Sequence, residues 1–263
     1  MGEGYEDWTA AERTVFRINE KLHTINVSPP DTSGGVVVPN IYLNRYYVEY
    51  EEGRSIYDIL DEICDIVRNV PERNSVEKMI SRDNLLEHVI PVLINAEVNT
   101  EYLETLPHGR FHDLAVVYRA VFNVNGNEHL GTTITWDMLT EWGVTYDALK
   151  IIADINSDKK AGVKIFEVND IHTITNRFGV YGAIKGLCDT ETLSELADMF
   201  KDDLYIVPSS IHEVFVVPCD CYCLKALRSA ADGAIAAGVL SEKEFLSKNI
   251  YRYVRETKEV EVA

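Results

Sequence analysis

Apolar positions along this chain follow two spacings, and the better marked one is helical. Ile56, Ile59, Leu60, Ile63, Ile66 and Val67 recur at i, i+3, i+4, i+7, i+10 and i+11, one face of an amphipathic helix. Ser55 and Asp58 form a capping box at its start, so the pattern predicts a helix from Ser55 to Val67. Helices are also predicted over 12–20, 75–88, 99–105, 136–142 (ended by Gly143), 145–155, 179–187, 190–200 and 223–237. Ser241 and Glu244 repeat the capping pattern and predict one more. Extended runs are predicted over 22–27, 35–43, 89–94, 113–122, 129–134, 163–168, 171–175, 204–207, 213–217, 251–254 and 259–262. Pro91 has no N–H to give a ladder, which places 89–94 at a sheet edge or a bulge. The strings NVNGNE and RETK mark hairpin turns.

These strands do not alternate regularly with long helices. The fold class therefore reads as α+β, with mixed or mostly antiparallel sheets and packed helices, rather than a doubly wound sheet. A chain of 263 residues is long enough for one large domain or two small ones. It is read as a single α+β domain over 1–263, with two lobes meeting near 100–112 as the alternative. There is no internal repeat and no low-complexity linker.

Charge narrows the function. Asp and Glu number 43 against 25 Lys and Arg, a net charge of −18, while 46 % hydrophobic residues mark a folded globular chain. That balance opposes a general nucleic-acid binder, because phosphate contacts need positive potential. The excess is local: seven acids and one arginine fall between Glu49 and Asp65, and a second cluster spans Asp189–Asp203. Each is either a solvated face or a docking surface for a protein partner with a basic surface. Tyr42, Tyr46, Tyr47 and Tyr50 either pack the first strong helix or expose an aromatic patch to such a partner. No apolar run approaches the roughly 18 residues that span a bilayer. The start, MGEGYEDWTAAERTVF, lacks the basic and apolar regions of a secretory signal. Five cysteines, an odd number, favour reduced thiols and a cytoplasmic location.

Three strings carry candidate chemistry. In PSSIHEV, Ser209 or Ser210 as nucleophile, His212 as base and Glu213 as orienting acid would make a small hydrolase. Adjacent His212 and Glu213 diverge on a strand, and no G-x-S-x-G elbow is present. The competing reading is a tight turn whose hydroxyls bond the backbone. In CDCYC, a strand would line Cys219, Cys221 and Cys223 along one face, where a soft metal could meet them. The ligand spacing and second pair of a zinc site are missing, and a strand-to-helix turn with partly exposed thiols is the alternative. Cys64 and Cys188 read as small buried hydrophobes. PHGRFHD holds His108, His112 and Asp113, but Pro107 and Gly109 oppose the helix that H-x-x-x-H would need, so a turn with surface histidines is expected. Neither nucleotide fingerprint occurs, so no cofactor is expected. A non-enzymatic protein-interaction module is the leading reading, and no small-molecule substrate follows from these motifs.

Four strings taken together carry a resemblance: IYLNRYYVEYEEGRS, PVLINAEVNTEYLETLPHGRFHDLAVVYR, LYIVPSSIHEVFVVP and NIYRYVRETKE. In this order, from about Ile41 to Lys258, the chain resembles domain-of-unknown-function family 5688, an uncharacterised bacterial family found largely in gut clostridia. The CDCYC string falls outside that pattern, and the N-terminal region departs from it. The resemblance transfers no activity. It implies an intracellular bacterial fold and singles out Asn95, Asn99, Pro107, Asp113, Pro208, Ser209, Ser210, His212 and Glu213 as positions to inspect.

Overall fold

Asn19, at φ 60, closes a two-residue turn between strands β1 (Thr9–Arg17) and β2 (Glu20–Ser28). The antiparallel register is unbroken from Thr9↔Ser28 to Arg17↔Glu20. A helix was expected over 12–20. The ladder of this hairpin overrides the modest helix preference of Ala, Glu and Arg, and a left-handed Asn suits the tight reversal. A computed structural model describes residues 7–28, 40–68, 80–124, 128–168, 171–239 and 241–263. The expected turn at SPPDTSGG and the start of the helix over 75–88 lie largely outside them. The chain divides into two units, Met1–Asn84 and Leu85–Ala263.

In the first unit, β3 (Ile41–Tyr42) adds to β2. Helix α1 (Leu43–Glu51) follows where no helix was expected; its N-cap, Tyr42, makes no side-chain capping bond. The predicted amphipathic helix is α2 (Ile56–Arg68). Ile59, Ile63 and Val67 from α2 meet Tyr46, Val27 and Ile41 in a small core. Only Tyr46 of the four tyrosines is fully buried.

The chain then passes through α3 (Arg82–His88) into the four-stranded sheet of the second unit. Strand β6 (Leu114–Val124) is its centre, pairing with β4 (Val89–Asn95), β5 (His108–Phe111) and β7 (Glu128–Thr133). β4 is an edge strand, as Pro91 requires, with Pro91 opposite Tyr118. A turn with surface histidines was expected over 107–113, yet His108–Phe111 is a strand. The reversal sits later, at His112 (φ 52) and Asp113, because β5 supplies the hydrogen-bond partners that the start of β6 needs. Segment 100–112, with α4 (Thr100–Leu103), lies inside this second unit.

Helices α5 (Trp136–Trp142) and α6 (Tyr146–Asn156) start where Thr135 and Thr145 accept the Met138 and Ala148 amides. Gly143, at φ 64, ends the first of them. A π-helical turn, Ser157–Ala161, extends α6 and was not foreseen. The remaining sheet has the order β13-β12-β10-β11-β9-β8. Its strands are β8 (Val163–Val168), β9 (Ile171–Asn176), β10 (Leu204–Pro208), β11 (Val214–Pro218), β12 (Tyr251–Val254) and β13 (Glu259–Val262).

Between β9 and β10 come α7 (Ala183–Leu187) and α8 (Thr190–Phe200), the latter capped by Asp189 rather than Thr190. Positive φ at Gly179 and Tyr181 keeps the first residues of the expected helix over 179–187 in a turn. Gly186 lets α7 lie against the sheet: an added Cβ would sit 2.1 Å from Val214 Cγ2. Helix α9 (Leu224–Ala236) matches expectation, whereas Ser241 caps only a 3-10 turn over Glu242–Glu244. Every strand pair among the described residues is antiparallel, so the α+β expectation holds.

Candidate functional site

The loop between β10 and β11 holds Ser209, Ser210, His212 and Glu213. The Ser209 and Ser210 amides donate to the Glu213 carbonyl at 3.3 and 3.2 Å. Ser210 Oγ accepts the His212 amide at 3.0 Å, a hydroxyl bonding its own turn. His212 Nδ1 accepts the Tyr181 amide at 3.0 Å, so the neutral ring carries its proton on Nε2, which faces Glu244 at 3.6 Å. Thr175 Oγ1 and the Gly182 amide both donate to the His212 carbonyl, at 2.8 and 2.9 Å. An added Cβ on Gly182 would come within 2.7 Å of that carbonyl. Burial lowers the His212 pKa, while Glu244 pulls it upward. A serine hydrolase needs a ring nitrogen open to the serine hydroxyl. Here Nδ1 is taken by the Tyr181 amide, Nε2 faces Glu244, and the Ser210 hydroxyl bonds the His212 amide.

A second polar centre gathers residues from distant strings. Asp113, half-buried, accepts Tyr251 OH at 2.6 Å and Ser247 Oγ at 2.7 Å. Burial pulls this carboxyl upward, but hydrogen bonds from Tyr251, Ser247 and Asn249 outweigh it and hold it below its ordinary value. Nearby, Asn95 Nδ2 donates to the Leu246 carbonyl at 2.9 Å, and Asn99 Nδ2 to the Asn95 carbonyl at 2.8 Å. The resemblance pointed to Asn95, Asn99 and Asp113, but Ser247 and Tyr251 had no signal in the sequence. Serine and tyrosine occur too often for a pairing across 134 or 138 positions to be read from spacing.

The cysteine string forms a 3-10 turn over Cys219–Cys221, with Cys223 at the N-cap of α9. Cys221 and Cys223 are exposed, and Cys219 is half-buried. Burial, with Asp202 next in effect, pushes the Cys219 thiol up to about 11. A strand would have put three sulfurs on one face; the turn does not. Among the described residues no group of three or more His, Cys, Asp or Glu is arranged to hold a metal ion. Cys188, where burial pushes the thiol up to about 12, lines a polar cleft with Asp154, Asp158, Lys185 and Asp189. The buried Lys185 donates to Asp158 at 3.2 Å there.

The first unit carries a different kind of surface. Glu62 joins its two helices: it accepts Arg54 at 2.6 Å and Tyr46 OH at 3.0 Å, and also pairs with Arg45. Arg54 binds Glu49 as well. Arg68 pairs with Asp65 at 2.9 Å. The basic side chains of α1–α2 are therefore spent, while Glu51, Glu52, Asp58 and Asp61 make no ion pair among the described residues. Behind α2, against β2, lies an apolar groove of about 180 Å³.

Fold and sites together define an antiparallel α+β protein with a hydrogen-bonded polar centre at Asp113 and an acidic, apolar-studded pair of helices. The chain belongs to the Family of unknown function (DUF5688), whose model matches residues 2–172 and 163–255. No curated protein and no solved structure matches it. Among the described residues no helix is long and apolar enough to cross a membrane.

Proposed function

We propose that the protein is a protein-interaction module whose first unit docks a partner with a basic surface through α1 and α2. One observation carries this reading. Of the 18 exposed large hydrophobic side chains among the described residues, seven lie between positions 47 and 66: Tyr47, Val48, Tyr50, Ile56, Tyr57, Leu60 and Ile66. They stand beside the unpaired carboxylates of Glu51, Glu52, Asp58 and Asp61. Exposed apolar side chains concentrated in one pair of helices are the material of association surfaces, and tyrosine is enriched in them. Uncompensated carboxylates around it favour a basic partner and disfavour acidic ones.

The second acidic cluster differs in that its last three aspartates are tied into the fold, although Glu191 and Glu195 make no ion pair among the described residues. Asp198 binds Arg255, and Asp203 binds Arg252 and the Arg255 amide. Asp202 accepts the Asp203 and Asp220 amides. Those charges hold the molecule itself together.

The test places a photo-crosslinking residue at Tyr57 or, as a control, at Ile151, exposed in the second unit. In lysate of cells that make the protein, irradiation at low salt is expected to join one discrete basic protein at position 57, and irradiation at high salt, or of the Asp58→Lys/Asp61→Lys variant, to join none. Equal crosslinking at both positions, or at neither, would overturn the reading.

A further inference from the structure

We propose, building on the docking role above, that the groove between α2 and the β1–β2 hairpin takes the apolar anchor of a basic amphipathic helix. The groove's walls are Ile25 and Val27 from β2 and Leu60, Ile63, Cys64 and Val67 from α2, with Arg68 at one end. Its volume, about 180 Å³, is that of a single large side chain; an apolar cavity of about 150 Å³ stays dry and takes a benzene-sized group. The groove is open to solvent at Leu60, which is 49 % exposed.

The phase of α2 decides what approaches the groove. Tyr57, Leu60 and Cys64 stand at i, i+3 and i+7, one row along the helix. Asp58, Asp61 and Asp65 repeat the same spacing one residue on, so a row of carboxylates runs beside the apolar row. Asp65 is tied to Arg68, which leaves Asp58 and Asp61 to face an incomer. The complement of an apolar row flanked by an acidic one is a helix with an apolar row flanked by Lys or Arg. A bulky apolar residue of that helix would fill the groove as the central anchor of the contact. A second copy of this chain would bring like charge against like, and the carboxylate of a fatty acid would meet the same repulsion.

The experiment uses the full chain and a fluorescein-labelled Leu/Lys peptide of about 18 residues with leucines at i, i+3, i+4 and i+7. Its control is a scrambled peptide of identical composition. Fluorescence anisotropy reads binding, and mass spectrometry of the Cys64-containing fragment reads alkylation by N-ethylmaleimide. The amphipathic peptide is expected to bind about tenfold or more tighter than the scrambled one, and to slow Cys64 alkylation by a similar factor. Cys64→Leu, which fills the groove, is expected to weaken binding about tenfold; if that variant fails to fold, protection of the native thiol decides alone. Tight binding with Cys64 alkylated at the free rate overturns the groove and leaves the docking face standing. Equal binding of both peptides overturns the anchor, and no binding of either removes groove and docking reading together. Decanoate protecting Cys64 where the peptide does not would make the groove a small-molecule site and overturn the proposal.

Discussion

His212 accepts the Tyr181 amide at Nδ1, and an imidazolium has no lone pair there to accept it. The turn is therefore built around the neutral ring. Tyr181 itself sits at φ 57, an uncommon conformation for a bulky residue that the surrounding bonds must hold. Burial lowers the His212 pKa below its ordinary value, with Glu244 and Glu213 opposing. The unfolded chain then binds this proton more readily than the folded one, so its contribution to stability is complete above about pH 6.5. It is lost as pH falls from there through the folded value. His212→Asn keeps an acceptor for Tyr181 and does not titrate. Denaturant melts of the two proteins between about pH 7 and pH 5 are expected to show a shallower loss for the variant. Equal slopes would mean that His212 is not the titrating group. The same residue explains why PSSIHEV looked chemical: residue types were legible, but the partners of each nitrogen were not. Tyr181 and Glu244 lie 31 and 32 positions from His212, too far for any local pattern to report.

At the scale of elements, Asp113 closes the β5–β6 hairpin and also receives Tyr251 from β12 and Ser247 from the segment before it. One carboxylate thus joins the edge of one sheet to a strand of the other. Asp113→Ala would leave both hydroxyls without their charged acceptor. The expected cost is about 2–3 kcal/mol, given the partial exposure of the site. For a unit of this size that is a fall in Tm of roughly 5–10 °C, readable by calorimetry. A loss under about 0.5 kcal/mol would show that solvent replaces the carboxylate. Element prediction succeeded where periodicity was strong, as at α2, and where a cap or turn residue was diagnostic, as at Thr135, Gly143 and Thr145. It failed at β1, α1 and β5. β1 owes its conformation to β2, and β5 to β6, whereas α1 is held by Tyr46 in the core and by Glu62 across to α2. Their own residues give little local preference.

For the whole molecule, a net charge of −18 means self-repulsion that salt should relieve. Much of the charge around α8 is paired, but Glu51, Glu52, Asp58 and Asp61 are not. Stability of the full chain is therefore expected to rise as ionic strength goes from about 0.02 to about 0.5 M, where the screening length shortens from roughly 20 Å to a few ångströms. Variants Asp58→Asn/Asp61→Asn should show less of that rise. Thermal melts across this series check it, and a flat response in the parent would mean that local pairing already balances the field. Binding of a basic partner responds to salt in the opposite sense, so folding and docking can be separated in the same buffers.

The sequence by itself determined the α+β class, the amphipathic α2, the turns at PSSIH and RETK and the two places where acids accumulate. These follow from local periodicity, backbone chemistry and composition, which need no knowledge of distant partners. Tertiary structure alone decided which acids of each cluster are paired: in the second, arginines some 50 residues away bind Asp198 and Asp203, while in the first Glu51, Glu52, Asp58 and Asp61 make no ion pair among the described residues and stand beside exposed tyrosines. It decided equally that Ser210 bonds backbone, that Cys219 and Cys221 lie in a 3-10 turn with Cys223 at the next N-cap instead of on one strand face, and that Ile25, Val27 and α2 enclose a groove. Hydrogen bonds, ion pairs and cavities are properties of groups brought together by the fold, and separation along the chain hides which groups those are.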